Sequence, residues 1–284
     1  MRPDSLHEYG ILVLSTNDTY EKAEITKEAY KRYEQKEISF RSLTRTEPPE
    51  HPARPSNVKI VEPKDAPKRG GGSLGNRIAL LHSLCHMESY AIDLSWDIIS
   101  QYLPDEFAQD WLKVAHDEAK HFNMLEDRLK ELGSFYGDVV AHDGLWNSAT
   151  RTSSDLLARL AVLHCVHEAR GLDVTPNNIR KFSQNDDSIS ADLLNTIYED
   201  EITHVTSGVR WFKFVCEHVL RQERSKEQNI EENQVAISNQ DIMDRFYQIV
   251  RGYFNGPLKA PFNDEARRKA GMTEEWYYPL TKRE

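Results

Sequence analysis

The sequence contains few cysteines, and they do not suggest a disulfide framework. Only three occur among 284 residues, Cys85, Cys165 and Cys216, and each lies within an apolar pattern of helical period. A small, odd number of cysteines in a chain of this length is typical of a reducing compartment. Residues 1–9 carry charges and have no apolar core, so they do not resemble a secretory signal. We therefore predict a cytoplasmic protein without disulfides.

Long apolar runs and an excess of positive charge are also missing. No stretch approaches the roughly 18 apolar residues that a membrane-spanning helix needs. The 46 acidic residues outnumber the 36 Lys and Arg residues, which gives a formal net charge of -10. Anionic membranes and nucleic acids repel such a chain on average. The composition argues against a membrane protein and against a general nucleic-acid binder.

Strand-type alternation does not rise above noise, and apolar residues recur instead at helical spacing, which predicts an all-α fold. The predicted helices cover residues 21–36, 74–103, 106–132, from Ser153 or Ser154 to Gly171, from Ser188 or Ser190 to about Arg221, and 242–254. Pro176 predicts a short continuation or a kinked turn toward Phe182. Residues 133–152 are predicted to form a long connection, and the polar residues 222–236 a mobile loop.

This pattern predicts three parts. Residues 1–47 form an N-terminal helical appendage. Residues 48–73 form an extended arm, because six of the twelve prolines lie there. Residues 74–284 form a four-helix bundle with an additional C-terminal helix and a tail.

Acidic residues and histidines recur in one pattern on the four long predicted helices. The first and third helices carry a single Glu, and the second and fourth each carry Glu-x-x-His. The six residues are Glu88, Glu118, His121, Glu168, Glu201 and His204. Because positions i and i+3 are neighbours on one helix face, each Glu-x-x-His presents a carboxylate and an imidazole to the same point. The alternative is that these residues line solvated faces or form internal salt bridges.

Such a ligand set is that of di-iron and di-manganese carboxylate bundles. Each single Glu precedes the next motif Glu by a similar distance, 30 and 33 residues, as antiparallel helices of this length require. Carboxylates and imidazoles suit iron or manganese better than thiolate sites do. The sequence therefore predicts two metal ions, iron with manganese as the alternative, in a ferritin-like four-helix bundle with a long crossover.

Within this site Glu118 and Glu201 are the natural bridging ligands. Each motif Glu is preceded by an aspartate, Asp117 or Asp200. Metal-bound histidines usually donate their second N–H to a carboxylate, so we predict that these aspartates are the acceptors. Neighbouring histidines are expected to hydrogen-bond to the metal ligands or to be polar packing groups, and neighbouring cysteines to be small core residues: His82, His86, His164, His167, Cys85 and Cys165.

The sequence resembles the domain of unknown function 455 family, within the ferritin-like superfamily. The likeness covers about residues 49–280, and its motifs include LLHSLCHMESYAIDLSWDI, DEAKHF, HEARGLDVTP, YEDEITHV and YFNGPLKAPFNDEARRKAGM. The resemblance implies the same six metal ligands. It also implies that Arg170, Asn263 and Arg267 belong to family motifs that hold the tail over the bundle.

The expected function is an oxygen-activating oxidoreductase that acts on a small organic substrate with an external electron donor. One alternative is a tRNA-modifying hydroxylase, for which the arm offers a short basic stretch: Lys59, Lys64, Lys68, Arg69 and Arg77. Two further functions are compatible with the same metal site, a non-catalytic, metal-stabilised scaffold and an iron-handling protein. The sequence does not name the substrate, the reductase or the oligomeric state.

Overall fold

A computed structural model describes residues 2–41, 47–100 and 105–282. Its α-helices are α1 Leu6–Ser15, α2 Thr19–Glu34, α3 Leu74–Ile99, α4 Asp105–Glu131, α5 Gly144–Arg151, α6 Leu156–Arg159, α7 Glu168–Ser183, α8 Ser188–Gln228, α9 Asn239–Tyr253 and α10 Asp264–Lys269. A π-helical stretch, Leu160–His167, connects α6 to α7. Within the described ranges no strand occurs, only two isolated bridges. The predicted all-α fold is confirmed, and no helix in these ranges is long and apolar enough to cross a membrane.

The chain divides into two compact units. The first comprises residues 1–146 and 177–197, and the second comprises residues 147–176 and 198–284.

In the first unit α3 packs along α4, α2 packs on α4, and α1 packs on α2 and α3. Ser73 caps α3, since its hydroxyl accepts the Asn76 N–H, and this start agrees with the predicted one. The predicted end, Leu103, lies outside the described residues. Large aromatic side chains are fully buried in this unit: Trp96, Phe107, Trp111 and Phe122.

Backbone hydrogen bonds attach the proline-rich arm, residues 48–73, to the rest of this unit. The Ala53 N–H donates to the Leu14 carbonyl at 2.7 Å, and the Val61 N–H donates to the Ala141 carbonyl at 2.8 Å. The Ala141 N–H in turn donates to the Lys59 carbonyl at 2.9 Å. The arm is thus ordered by pairing with the main chain, although it contains little regular structure of its own.

The core of the second unit forms around α9 and the residues that follow it. Phe246 of α9 stacks edge to face on Phe212 and Trp276, with ring centroids 5.1 and 4.7 Å apart. Short 3-10 turns at Glu274–Trp276 and Tyr278–Thr281 also pack on α9. The tail is therefore part of the core.

Two predicted segments differ from the structure. The connection 133–152 contains α5, whose Ala149 is buried and whose carbonyl accepts a bond from Arg159. The predicted loop 222–236 begins as helix, because α8 continues to Gln228. Ion pairs of Arg224 with Asp241 and of Arg245 with Glu223 attach this polar extension to α9.

The predicted short continuation beyond Pro176 toward Phe182 is confirmed, since the proline lies inside α7. A proline in a helix leaves the carbonyl four residues earlier without its usual donor. That carbonyl belongs to Leu172, and it accepts a hydrogen bond from the side-chain amide of Asn263 at 3.2 Å. The tail thus replaces the bond that the proline removes, and α7 continues to Ser183.

Candidate metal-binding site

The first unit brings three of the predicted ligands together. Glu88 of α3 meets Glu118 and His121 of α4, and the candidate ligand atoms of all three lie within 4.8 Å of one another. His121 Nδ1 lies 3.4 Å from Glu118 Oε2 and 3.7 Å from Glu88 Oε2. All three side chains are buried, with 6% or less of each residue exposed. The i, i+3 spacing on α4 therefore places carboxylate and imidazole together, as the sequence predicts.

The electrostatics of this triad favour a bound cation. Burial raises the pKa of Glu88 well above its usual range, and the neighbouring Glu118 carboxylate raises it further, whereas His121 opposes the shift. Two carboxylates buried side by side repel each other in a medium of low dielectric constant. A divalent cation between them would remove this repulsion, so the donor set and its burial fit a metal ion.

The second unit contains the matching triad. Glu168 is the first residue of α7, and Glu201 and His204 lie on α8; their candidate ligand atoms are also within 4.8 Å of one another. His204 Nδ1 lies 3.6 Å from Glu201 Oε2. Glu201 and His204 are buried and Glu168 is half-buried. Gly171 lies beside this triad, and a Cβ there would stand 4.0 Å from Glu201 Oε2, an ordinary van der Waals distance.

Each unit thus holds two carboxylates and one imidazole that could bind a metal ion. These oxygen and nitrogen donors suit iron or manganese. The assignment of the six side chains as ligands stays a prediction, as does the identity of the metal.

Sequence reasoning missed the π-helical stretch directly before Glu168. Short π-helical segments inside α-helices are rare and often lie at functional sites. Here the stretch packs tightly on α8: a Cβ at Gly208 would stand 1.9 Å from the carbonyl oxygen of His164. The amino-acid pattern of Leu160–His167 is that of an ordinary apolar helix, so the sequence gives no signal of the π geometry.

The two predicted acceptor aspartates lie beside the motif glutamates in different surroundings. Asp117 accepts a hydrogen bond from Lys113 Nζ at 2.6 Å and is 7% exposed. Asp200 lies on α8, immediately before Glu201, and is half-buried. Their predicted hydrogen bonds to metal-bound histidines stay predictions.

Three neighbouring histidines have partners outside the triads. His82 accepts the Gly137 N–H at 2.9 Å, and His86 Nδ1 lies 2.9 Å from the Tyr136 hydroxyl. His167 Nε2 lies 3.1 Å from the Ser148 hydroxyl. These contacts are polar packing contacts of the kind expected for them.

The cysteines near the ligands are inert in this structure. Cys85 and Cys165 are completely buried, and burial raises the pKa of both thiols. A thiol that stays protonated is a poor nucleophile and a poor metal ligand. Both residues therefore pack as small core side chains.

Comparison with known proteins places the chain in a family. The profile of the family described as "Protein of unknown function (DUF455)" matches residues 15–278. An uncharacterized protein from Haemophilus influenzae (strain ATCC 51907 / DSM 11121 / KW20 / Rd) is 34% identical over 240 residues, which cover 80% of this chain and 77% of that protein. No solved structure matches. The chain is therefore a member of the DUF455 family.

Proposed function

We propose that this protein binds a dinuclear metal centre, with iron as the preferred metal, and uses it as an oxygen-activating oxidoreductase. The observation that carries the proposal is the repetition of one triad, two carboxylates and an imidazole, in both units. That set, a Glu from each of two helices and Glu-x-x-His from each of two others, is the ligand set of ferritin-like di-iron and di-manganese proteins. The proposed fold is accordingly a ferritin-like four-helix bundle.

The proposal gives each ligand a separate role. Glu118 and Glu201 would bridge the two ions, since a carboxylate has two oxygens to share. His121 and His204 would each bind one ion, and Glu88 and Glu168 would be terminal ligands.

A bound iron pair would supply reversible one-electron redox chemistry and an affinity for dioxygen. The chain would hold the ions in place and exclude bulk water, because five of the six ligand residues are buried. Burial and the neighbouring Glu118 raise the pKa of Glu88, and a bound cation would oppose that shift by stabilising its carboxylate form. The proposed partners are a small organic substrate and an external electron donor.

The tRNA-hydroxylase alternative gains no support from the basic arm. Arg69 donates to the Ser83 hydroxyl at 2.7 Å, and Arg77 pairs with Asp187 at 3.2 Å. These two charges are engaged within the chain, which leaves three lysines for a phosphate backbone. A scaffold or an iron-handling protein would share the metal site and would differ from the proposed enzyme in turnover.

Elemental mass spectrometry of freshly purified protein tests the metal site. We expect about two iron or manganese atoms per chain, and loss of most of them in the double variant Glu118→Ala, Glu201→Ala. The matched control is Glu131→Ala, Glu199→Ala, which removes two exposed carboxylates from the same two helices and should keep the metal. Equal metal content in both variants would refute the assignment.

Oxygen uptake separates an oxidoreductase from a scaffold. The protein is loaded with Fe²⁺ without oxygen, mixed with oxygenated buffer, and monitored with an oxygen electrode and by absorbance. The proposal predicts fast oxygen consumption that the Glu118, Glu201 double variant lacks. Loaded protein that consumes oxygen no faster than free Fe²⁺ would leave a metal-stabilised scaffold.

A further inference from the structure

An aspartate occupies the same place relative to the single ligand Glu in both triads. Asp93 follows Glu88 by five residues, and Asp173 follows Glu168 by five residues. Five residues correspond to about 140° around a helix and about 7.5 Å along it. Each aspartate therefore lies on a different face from the ligand. Both side chains are completely or almost completely buried, with 0% and 1% exposed.

Asp93 in the first unit binds an arginine of the proline-rich arm. Arg54 donates to Asp93 Oδ2 at 2.8 Å, and to the Ser89 hydroxyl and the Tyr136 hydroxyl at 2.6 and 3.0 Å. Its guanidinium also lies 3.8 Å from the ring centroid of Tyr90. Arg54 thus contacts α3 at the residue that directly follows Glu88 and again one turn later.

A second cation completes the site at Asp93. Lys22 of α2 is fully buried and donates to Asp93 and to the Ala53 carbonyl. Burial lowers the pKa of this lysine, and the Asp93 charge opposes the shift. The carboxylate therefore joins α3 to both α2 and the arm.

Asp173 in the second unit binds an arginine of the tail in the same way. Arg267 donates from Nε and Nη2 to the two oxygens of Asp173, at 2.9 and 2.7 Å, with only 4% of its side chain exposed. Its guanidinium also lies close to two aromatic rings, 4.9 Å from the centroid of Phe262 and 4.6 Å from that of Tyr277. An arginine held by a bidentate pair and by aromatic contacts has one preferred orientation.

Asn263 connects the same tail to both helices of the second triad. Its side-chain amide donates to the Leu172 carbonyl, which Pro176 leaves without a helical donor, and to the Tyr198 hydroxyl at 2.9 Å. Its backbone N–H donates to Asp173 at 2.9 Å. Since Tyr198 lies one turn before Glu201 on α8, the tail contacts both ligand-bearing helices near their ligands.

We propose that Arg54 and Arg267 are positioning residues for the two triads, and this inference rests on the proposed metal function. Each arginine reaches from an irregular segment to the aspartate five residues after a ligand Glu. It thereby fixes the rotation and the axial position of the helix that carries a single ligand. Each helix with Glu-x-x-His carries two ligands, and these two ligands together fix its orientation.

Stability alone does not account for these contacts. Apolar side chains of similar volume often stabilise a core as well as a buried ion pair does, because burying charges costs free energy. What a bidentate pair adds is orientation. The same pairing, at the same distance from a ligand in two separate units, follows if orientation of the ligand helix is its role.

The test uses the full-length protein and Co²⁺, whose visible absorption reports the geometry of its ligands. The variants are Arg267→Lys and Arg54→Lys, which keep the charge and lose the paired geometry, and Asp173→Asn. Arg268→Gln is the control, because it removes the adjacent arginine and its exposed ion pair with Glu274. Thermal melting of each metal-free variant, followed by circular dichroism, defines the temperature range in which it is folded.

We expect each lysine variant, while folded, to bind Co²⁺ about tenfold more weakly and with a shifted absorption band, as changes next to metal ligands typically do. The control should match the wild type. Lysine variants that melt earlier but keep the wild-type affinity and band would overturn the inference, since the arginines would then serve stability alone. A wild type that binds no Co²⁺ would instead overturn the metal site itself.

Discussion

At the scale of single residues, the main feature is a set of carboxylates buried beside one another. Glu88 and Glu118 both lie against His121, and burial raises the pKa of Glu88. In the absence of a cation such an arrangement costs folding free energy. The same carboxylates bind a cation strongly for that reason, so stability and metal affinity should change in opposite directions when one charge is removed.

Glu88→Gln separates these two effects. Without metal the variant should be about 1 kcal/mol more stable than the wild type, because the amide has no charge to bury. With Fe²⁺ or Mn²⁺ the order should reverse, because the variant has lost a ligand. Urea unfolding with and without chelator measures both values. A metal-free variant less stable than the metal-free wild type would contradict this account, and Glu131→Gln, at an exposed position of α4, should change neither value.

The buried side chain of His82 should make the free energy of unfolding depend on pH. Burial lowers the pKa of His82 to about 4, below the value near 6.5 that it has when unfolded. The unfolded state therefore takes up the proton first, and the stability that neutral His82 contributes is present above about pH 6.5 and is lost as the pH falls toward 4.

By this linkage the free energy of unfolding should be about 2 kcal/mol lower at about pH 5 than at about pH 8 because of His82 alone. His82→Gln should remove that part of the pH dependence, since a glutamine oxygen can still accept the Gly137 N–H. Urea titrations of the metal-free proteins at both pH values test this. If the variant and the exposed control His218→Gln show the same pH dependence, the interpretation of His82 is wrong.

The pairing of a carboxylate with an imidazole on α4 and on α8 could be predicted because it follows from local helix geometry. A carboxylate and an imidazole three residues apart meet on any helix, and the distances on α4 and α8 agree. The partners of Asp93 and Asp173 could not be predicted in the same way. Arg54 and Arg267 are distant from them in sequence, and neither occurs in a spacing that local geometry determines.

At the scale of secondary structure, the π-helical stretch is the least ordinary element. It brings the His164 carbonyl against Gly208 of α8, where a Cβ would stand 1.9 Å from the oxygen. An alanine in a helix is normally about 1 kcal/mol more favourable than a glycine. At Gly208 the backbone contact should instead make alanine less favourable than glycine.

We predict that Gly208→Ala destabilises the protein by about 2 kcal/mol or more, because a backbone carbonyl cannot move aside as a flexible side chain can. Because the contact lies on the helix that carries Glu201 and His204, metal affinity should fall as well. Chemical denaturation measures the first effect, and Thr206→Ala, at an exposed position of α8, is the control. A Gly208→Ala variant as stable as the wild type would show that the stretch is not packed as described.

The lengths of α7 and α8 show why the local sequence pattern does not determine where a helix ends. The polar residues after Gln222 have no apolar face, yet α8 continues to Gln228 because Arg224 and Glu223 pair with α9. Pro176 lies inside α7 because Asn263, far along the chain, supplies the missing donor. In both places the deciding partner is distant in sequence, so a local pattern could not indicate it.

At the scale of the whole molecule, the all-α class was predictable from helical periodicity over most of the chain. Membership of the DUF455 family agrees with the motifs around the candidate ligands. The tail was less predictable: Trp276 and Tyr277 are 1% exposed, because they pack with distant residues of the second unit. A truncation of the tail would therefore remove part of a core.

The proposed dinuclear metal centre is tested most directly by metal content in variants that disable one triad at a time. The two variants are Glu118→Ala, His121→Ala and Glu201→Ala, His204→Ala, measured with the wild type by elemental mass spectrometry. Since Glu118 and Glu201 would bridge both ions, we predict about two iron or manganese atoms in the wild type and well under one in either variant. One atom retained in each variant would indicate two independent sites, and a wild type without metal would contradict the account as a whole.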